Sequence, residues 1–111
     1  MDISVARKRL EEMRADLDRS ISVLQGEHPE ARADDAADAG AILSEADRNE
    51  AMLESVRSQR AAVLSALARV ETGEYGNCVD CGKPVAEARL EARPDAARCV
   101  GCQAKWDRRR R

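Results

Sequence analysis

Cysteine occurs in only one stretch of the chain, and there it follows a pattern. Cys78-Val79-Asp80-Cys81 and Cys99-Val100-Gly101-Cys102 are separated by seventeen residues. A Cys-x-x-Cys turn brings two sulfurs close enough to grip one metal ion. Two such turns about 15–20 residues apart supply the four thiolates of a tetrahedral zinc site. Gly82 stands directly behind the first pair. Glycine there permits the tight turn that lets backbone N–H groups point at the sulfurs. The expected site is one structural zinc ion held by Cys78, Cys81, Cys99 and Cys102.

Other uses of these thiols fit less well. Two disulfides need an oxidising compartment, and the leading MDISVARKRL carries no apolar signal core. A redox dithiol needs one Cys-x-x-Cys, usually beside a βαβ pattern that is missing here. Catalytic zinc keeps an open coordination position and normally uses histidine or water. The single histidine, His28, lies fifty residues from Cys78 in a Pro-flanked loop and reads as an exposed loop residue. No nucleophile–base arrangement is present, so an enzyme is not expected.

The composition sets what can carry such a module. There is no phenylalanine, one tyrosine (Tyr75) and one tryptophan (Trp106), while 36% of residues are charged. That excludes a large globular core and suits long exposed helices. A net charge of −2 does not mark a general nucleic-acid binder. No apolar run approaches the roughly 20 residues of a membrane span. A cytoplasmic protein with reduced thiols is expected.

Two helical stripes precede the cysteines. Ile3, Ala6, Leu10, Met13, Leu17, Ser20 and Leu24 step by three and four residues, a heptad seam broken at Ser20. Gly26 and Pro29 close this helix, predicted over about residues 2 to 25. A second seam runs through Ile42, Ala46, Asn49, Leu53, Val56, Arg60, Val63, Leu67 and Val70, and ends at Thr72-Gly73. It predicts a helix of some 34 residues, about 50 Å long. Stripes this narrow do not hold a helix alone, and the short connection favours an antiparallel coiled-coil hairpin. Pairing between two chains is the alternative. Asn49 and Arg60 weaken the seam and can set its register. The expected fold is mainly α: a long hairpin over 1–72, then a small four-cysteine zinc-finger module with a short C-terminal helix over 73–111. That last helix is predicted from Gln103 to Arg111, ending in four arginines.

Asp34, Asp35 and Asp38 crowd the turn between the long helices. Aspartates cap helix N-termini and favour the positive end of the helix dipole, which is reason enough for them to be there. In a hairpin, however, the same cluster forms a tip away from the zinc module.

Gly73, Tyr75 and Gly76, the Cys78-Val79-Asp80-Cys81-Gly82 turn, and Arg89-Leu90-Glu91-Ala92-Arg93-Pro94 ahead of Cys99 together resemble the DksA/TraR family of bacterial C4-type zinc-finger transcription regulators. The match is close over residues 73 to 103, and the preceding hairpin looks like the same architecture. The resemblance implies a partner, RNA polymerase, and a mode of action. By that resemblance the hairpin would enter the secondary channel and its acidic tip would alter open-complex lifetime. Asp35-Ala36-Ala37-Asp38-Ala39-Gly40 supplies both aspartates of the family's tip pattern and ends in glycine where that pattern has alanine. The positions that resemble the basic alarmone-binding patch of the best-known members are Ser55, Gln59, Ala62 and Gln103, none of them cationic. A tetra-anionic guanosine tetraphosphate needs Arg or Lys donors, so a weak or absent response is expected.

Arg89, Arg93, Arg98, Lys105 and Arg108 are the candidate docking contacts on the polymerase. The arginine tail serves either as a solvated end that complements the helix dipole or as an electrostatic contact with an acidic surface. The expected protein is thus a monomeric, non-enzymatic regulator with no direct sequence-specific DNA contact and no membrane contact. Two rivals stand beside it: a zinc-ribbon DNA-binding protein using Arg93, Arg98 and the tail, and a plain coiled-coil interaction module.

Overall fold

A computed structural model describes residues 1–26 and 39–110, with the side chains of the second helix described from Glu45 onward. The described residues form four helices: α1 (Ile3–Leu24), α2 (Ala39–Thr72), α3 (Glu87–Ala92) and α4 (Val100–Arg109). The described residues form no strand. Both long helices lie where the periodicity puts them, and α2 has the predicted 34 residues. Asp2 caps α1: its side chain accepts the Ser4 N–H at 3.1 Å. Thr72-Gly73 closes α2 in a Schellman turn. The Glu74 N–H reaches back to the Arg69 carbonyl at 2.9 Å, and the Gly73 N–H to Val70 at 3.4 Å. Gly73 takes φ +80 in that turn, a conformation that a side chain would disfavour.

The chain packs as two compact units, one of Met1–Arg14 with Ala62–Arg111 and one of Ala15–Ala61. In the first, the start of α1 lies antiparallel to the end of α2, and Arg7 pairs with Glu71 at 3.3 Å. Ala6, Leu10, Val63 and Ala66 are fully buried there. Burying Leu10 and Val63 stabilises the fold by about 1.5–3 kcal/mol each. In the second unit the same antiparallel arrangement is marked by Arg60, whose Nε donates to Asp18 Oδ1 at 2.5 Å. Arg60, a polar interruption of the seam, thus pairs across to the other helix. The pair is half exposed, so its worth is only about 0.2–1 kcal/mol.

Several seam residues differ from expectation. Ser20 is exposed and Ile21 takes its place, so the stripe steps from Leu17 to Ile21 to Leu24. Ile3 is exposed as well. Ala46 and Asn49 also face solvent. The reason is register: counting from the Asp18–Arg60 pair, Leu24 falls opposite Glu54. Residues 45 to 50 of α2 therefore run past the last residue of α1.

The C-terminal half departs more. Helix α3 has no counterpart in the expected architecture, although Glu87-Ala88-Arg89-Leu90-Glu91-Ala92 is a run of good helix formers. Pro94 pushes Arg93 into an extended conformation and ends the helix. Helix α4 begins at Val100, three residues before the predicted start at Gln103. Cys99 occupies the N-cap position with extended backbone, and its carbonyl accepts the Gln103 N–H at 2.9 Å. His28, Asp34, Asp35, Asp38 and Arg111 lie outside the described residues. No helix among the described residues is long and apolar enough to cross a membrane.

Candidate metal centre

Two loops bring the four cysteines together. The first is a tight hairpin closed by an antiparallel bridge between Asn77 and Pro84. Within it the Cys78 N–H donates to the Lys83 carbonyl at 2.8 Å, and the Gly82 N–H to the Cys78 carbonyl at 3.0 Å. Gly82 adopts φ +75, as the turn behind a metal knuckle requires. The second loop leads straight into α4, which carries Cys102 in its first turn. A backbone bond from the Val79 N–H to the Ala97 carbonyl, 2.9 Å, ties the loops to each other.

The four sulfurs all lie within 4.8 Å of one another. Cys81 and Cys99 Sγ are 3.9 Å apart. A tetrahedron of four sulfurs at about 2.3 Å from zinc has edges near 3.8 Å. The donors therefore fit one zinc ion with no fifth ligand, as a structural site should. Cys78 is buried while Cys81 is exposed. Backbone hydrogen bonds from Cys81 and Cys99 to its sulfur bring the Cys78 thiol down to about 6, which favours the thiolate at neutral pH. The Cys102 thiol is pushed up to about 12, first by its contact with Cys99 and then by Cys78. Gathering four thiolates is costly, and a divalent cation is what offsets that cost.

Beside the cysteines in sequence, Tyr75, Val85 and Leu90 are buried apolar residues of the module. Tyr75 Oη donates to the Pro94 carbonyl at 2.9 Å in a buried setting. Tyr75→Phe strands that carbonyl, and we expect a loss of about 1–2 kcal/mol in denaturant unfolding of the metal-loaded chain. An unchanged midpoint would mean that water replaces the bond. Arg69, at the end of α2, is buried too, and its guanidinium pKa is lowered, chiefly by desolvation. Its Nη1 donates to Ser65 Oγ at 2.9 Å. Among the described residues its Nε has no partner.

The candidate docking residues divide by what they touch. Arg89 Nε donates to the Arg98 carbonyl at 3.0 Å. Arg98 Nε donates to Asp80 Oδ2 at 2.7 Å, and its guanidinium lies 4.1 Å from the centre of the Trp106 ring. Both arginines thus have partners inside the module. Arg93 is exposed, 3.8 Å from Asp95, and Lys105 and Arg108 are exposed on α4. The sequence does not reveal Asp80 and Trp106 as partners of Arg98. Only the placement of Asp80 between two ligand cysteines hints at a role for it.

Comparison with known proteins bears directly on this centre. The sequence model of the prokaryotic dksA/traR C4-type zinc finger matches residues 73–106. A solved structure of transcription factor DksA2 from Pseudomonas aeruginosa superposes with a TM-score of 0.82 and 27% identity, covering 97% of this chain and 84% of that one. Residues 73–106 are thus a dksA/traR C4-type zinc finger, and the chain has the fold of DksA2. A further solved structure, the DnaK suppressor protein of Agrobacterium tumefaciens C58, aligns with a TM-score of 0.66 at 28% identity over 95% of this chain and 94% of that one. Among curated proteins, the RNA polymerase-binding transcription factor DksA of Caulobacter vibrioides is 52% identical over 46 residues, 41% of this chain. That match spans 32% of the Caulobacter protein. The Escherichia coli K12 protein of the same name is 28% identical over 97 residues, 83% of this chain and 60% of its own length. The four cysteines are accordingly a C4 site for one zinc ion.

Proposed function

We propose that the chain is a cytoplasmic, monomeric, non-enzymatic transcription regulator that binds RNA polymerase. Its long helices enter the secondary channel, and Asp35 and Asp38 act there on open complexes. The observation that carries the reading is the likeness to the DksA2 structure over 97% of this chain, which extends beyond the zinc module to both long helices. The relatives named as RNA polymerase-binding factors support the choice of partner. Exposed Arg93, Lys105 and Arg108 supply cations for an acidic docking surface.

The test is retention of the purified, zinc-loaded chain on core RNA polymerase, run beside a shift assay on naked promoter DNA. Binding to polymerase without a DNA shift is expected. A salt-dependent DNA shift with no polymerase binding would overturn the reading in favour of a zinc-ribbon DNA binder.

The alarmone adds a second expected result. Ser55 and Gln59 are exposed but neutral, and Gln103 already donates through Nε2 to Asp107 at 3.0 Å. The chain should alter open-complex lifetime to the same extent with and without guanosine tetraphosphate, on polymerase whose other alarmone site is disabled. A large alarmone-dependent gain would show that cations elsewhere on the chain serve the ligand.

A further inference from the structure

Arg98 is the residue on which the separate parts of the zinc module converge. Its guanidinium Nε donates to Asp80 of the first knuckle, its carbonyl accepts from Arg89 of α3, and its cationic face covers Trp106 of α4. Its own chain neighbour is the ligand Cys99. The side chain is only 19% exposed, so solvent screens these contacts weakly. We propose that Arg98 is a positioning residue that couples retention of the zinc ion to the orientation of α4.

The coupling is geometric. The Val79 N–H donates to the Ala97 carbonyl at 2.9 Å across the two knuckles, and Asp80 and Arg98 are the next residues along the chain on either side of that bond. The Arg98–Asp80 ion pair, one residue further along each segment, reinforces that cross-link and holds it closed. Residues around a metal's ligands that fix their orientation affect metal affinity by about 10–100-fold when removed. The same guanidinium lies against a ring two turns into α4, the helix that displays Lys105, Arg108 and Arg109. Loss of the Arg98 contacts should loosen the metal and free the helix together. Lysine cannot do both tasks: it keeps a charge for Asp80 but has no planar face for Trp106.

The test uses the full zinc-loaded chain and reads two signals: the rate of zinc transfer to a coloured chelator and the emission of Trp106, the single tryptophan. Arg98→Ala and Asp80→Asn are each expected to speed zinc release about tenfold. The double variant should be no faster than the faster single, because both remove one interaction. Arg98→Lys should recover much of the release rate while leaving Trp106 emission like that of Arg98→Ala. Asp80→Asn is a near-isosteric change at a half-exposed residue, so it decides the matter even if Arg98→Ala fails to fold. Release at the unaltered rate in Asp80→Asn, or effects that multiply in the double variant, would overturn the proposal.

Discussion

Replacing Cys78 or Cys99 with serine is expected to abolish zinc binding and unfold the module from Glu74 onward, while much of α1 and α2 stays helical. The magnitude follows from how little else holds the module. Its buried apolar residues are few, with Tyr75, Val85 and Leu90 at their centre. Structural zinc contributes about 10–16 kcal/mol of binding free energy at neutral pH in small metal-dependent modules, far more than those side chains. Cys99 has a second task, since it stands at the N-cap of α4, so its loss should also fray that helix. Metal analysis should find one zinc per chain in the parent protein and none in the variants. Trp106 emission should move to that of an exposed indole, and circular dichroism should retain a large helical fraction. A zinc-free variant that melts like the parent would remove zinc from the account of stability.

Replacing Asp35 and Asp38 together with asparagine is expected to leave polymerase binding intact and eliminate the effect on open-complex lifetime. This rests on the proposed polymerase reading. Asparagine has nearly the size of aspartate and caps helices as well, so the start of α2 should survive the change. What disappears is negative charge, which could act on the active-site metal, the incoming triphosphate or nearby mobile parts of the enzyme. If the two aspartates only cap α2, the double variant regulates normally. Lifetime measured at a sensitive promoter, beside competition for polymerase, separates the cases: unaltered lifetime effect with unaltered affinity would sink the tip mechanism. Gly40→Ala, which brings the segment to the family pattern, should strengthen regulation and favour the helix by up to about 1 kcal/mol.

The cysteine site and the long helices were legible in the sequence because both depend on short-range geometry. Two Cys-x-x-Cys pairs at this spacing have few uses besides tetrahedral metal binding, whatever surrounds them. The steps of three and four residues placed α1 and α2 within a residue or so at each end, and Gly73 marked where α2 stops. Arg60 could be suspected as a register residue because it interrupts an apolar seam, but its partner, Asp18, is 42 residues away and only folding brings them together. Not every misreading was of this kind. Ile21 was available locally, since Leu17 to Ile21 to Leu24 keeps the four-and-three step and is apolar throughout, whereas the exposure of Asn49 follows from where a different helix ends. Helix α3 is too short to show a period, and α4 starts early because Cys99 serves both as ligand and as cap. Arg98 read as a candidate docking contact until the fold set it against Asp80 and Trp106. Residue type and spacing determined which atoms could bind a metal and which segments would coil, since both follow from chemistry within a few turns of chain. Which charged side chains are free to meet a partner and which hold the protein together was decided by contacts between segments far apart in sequence, and only the tertiary structure supplies those.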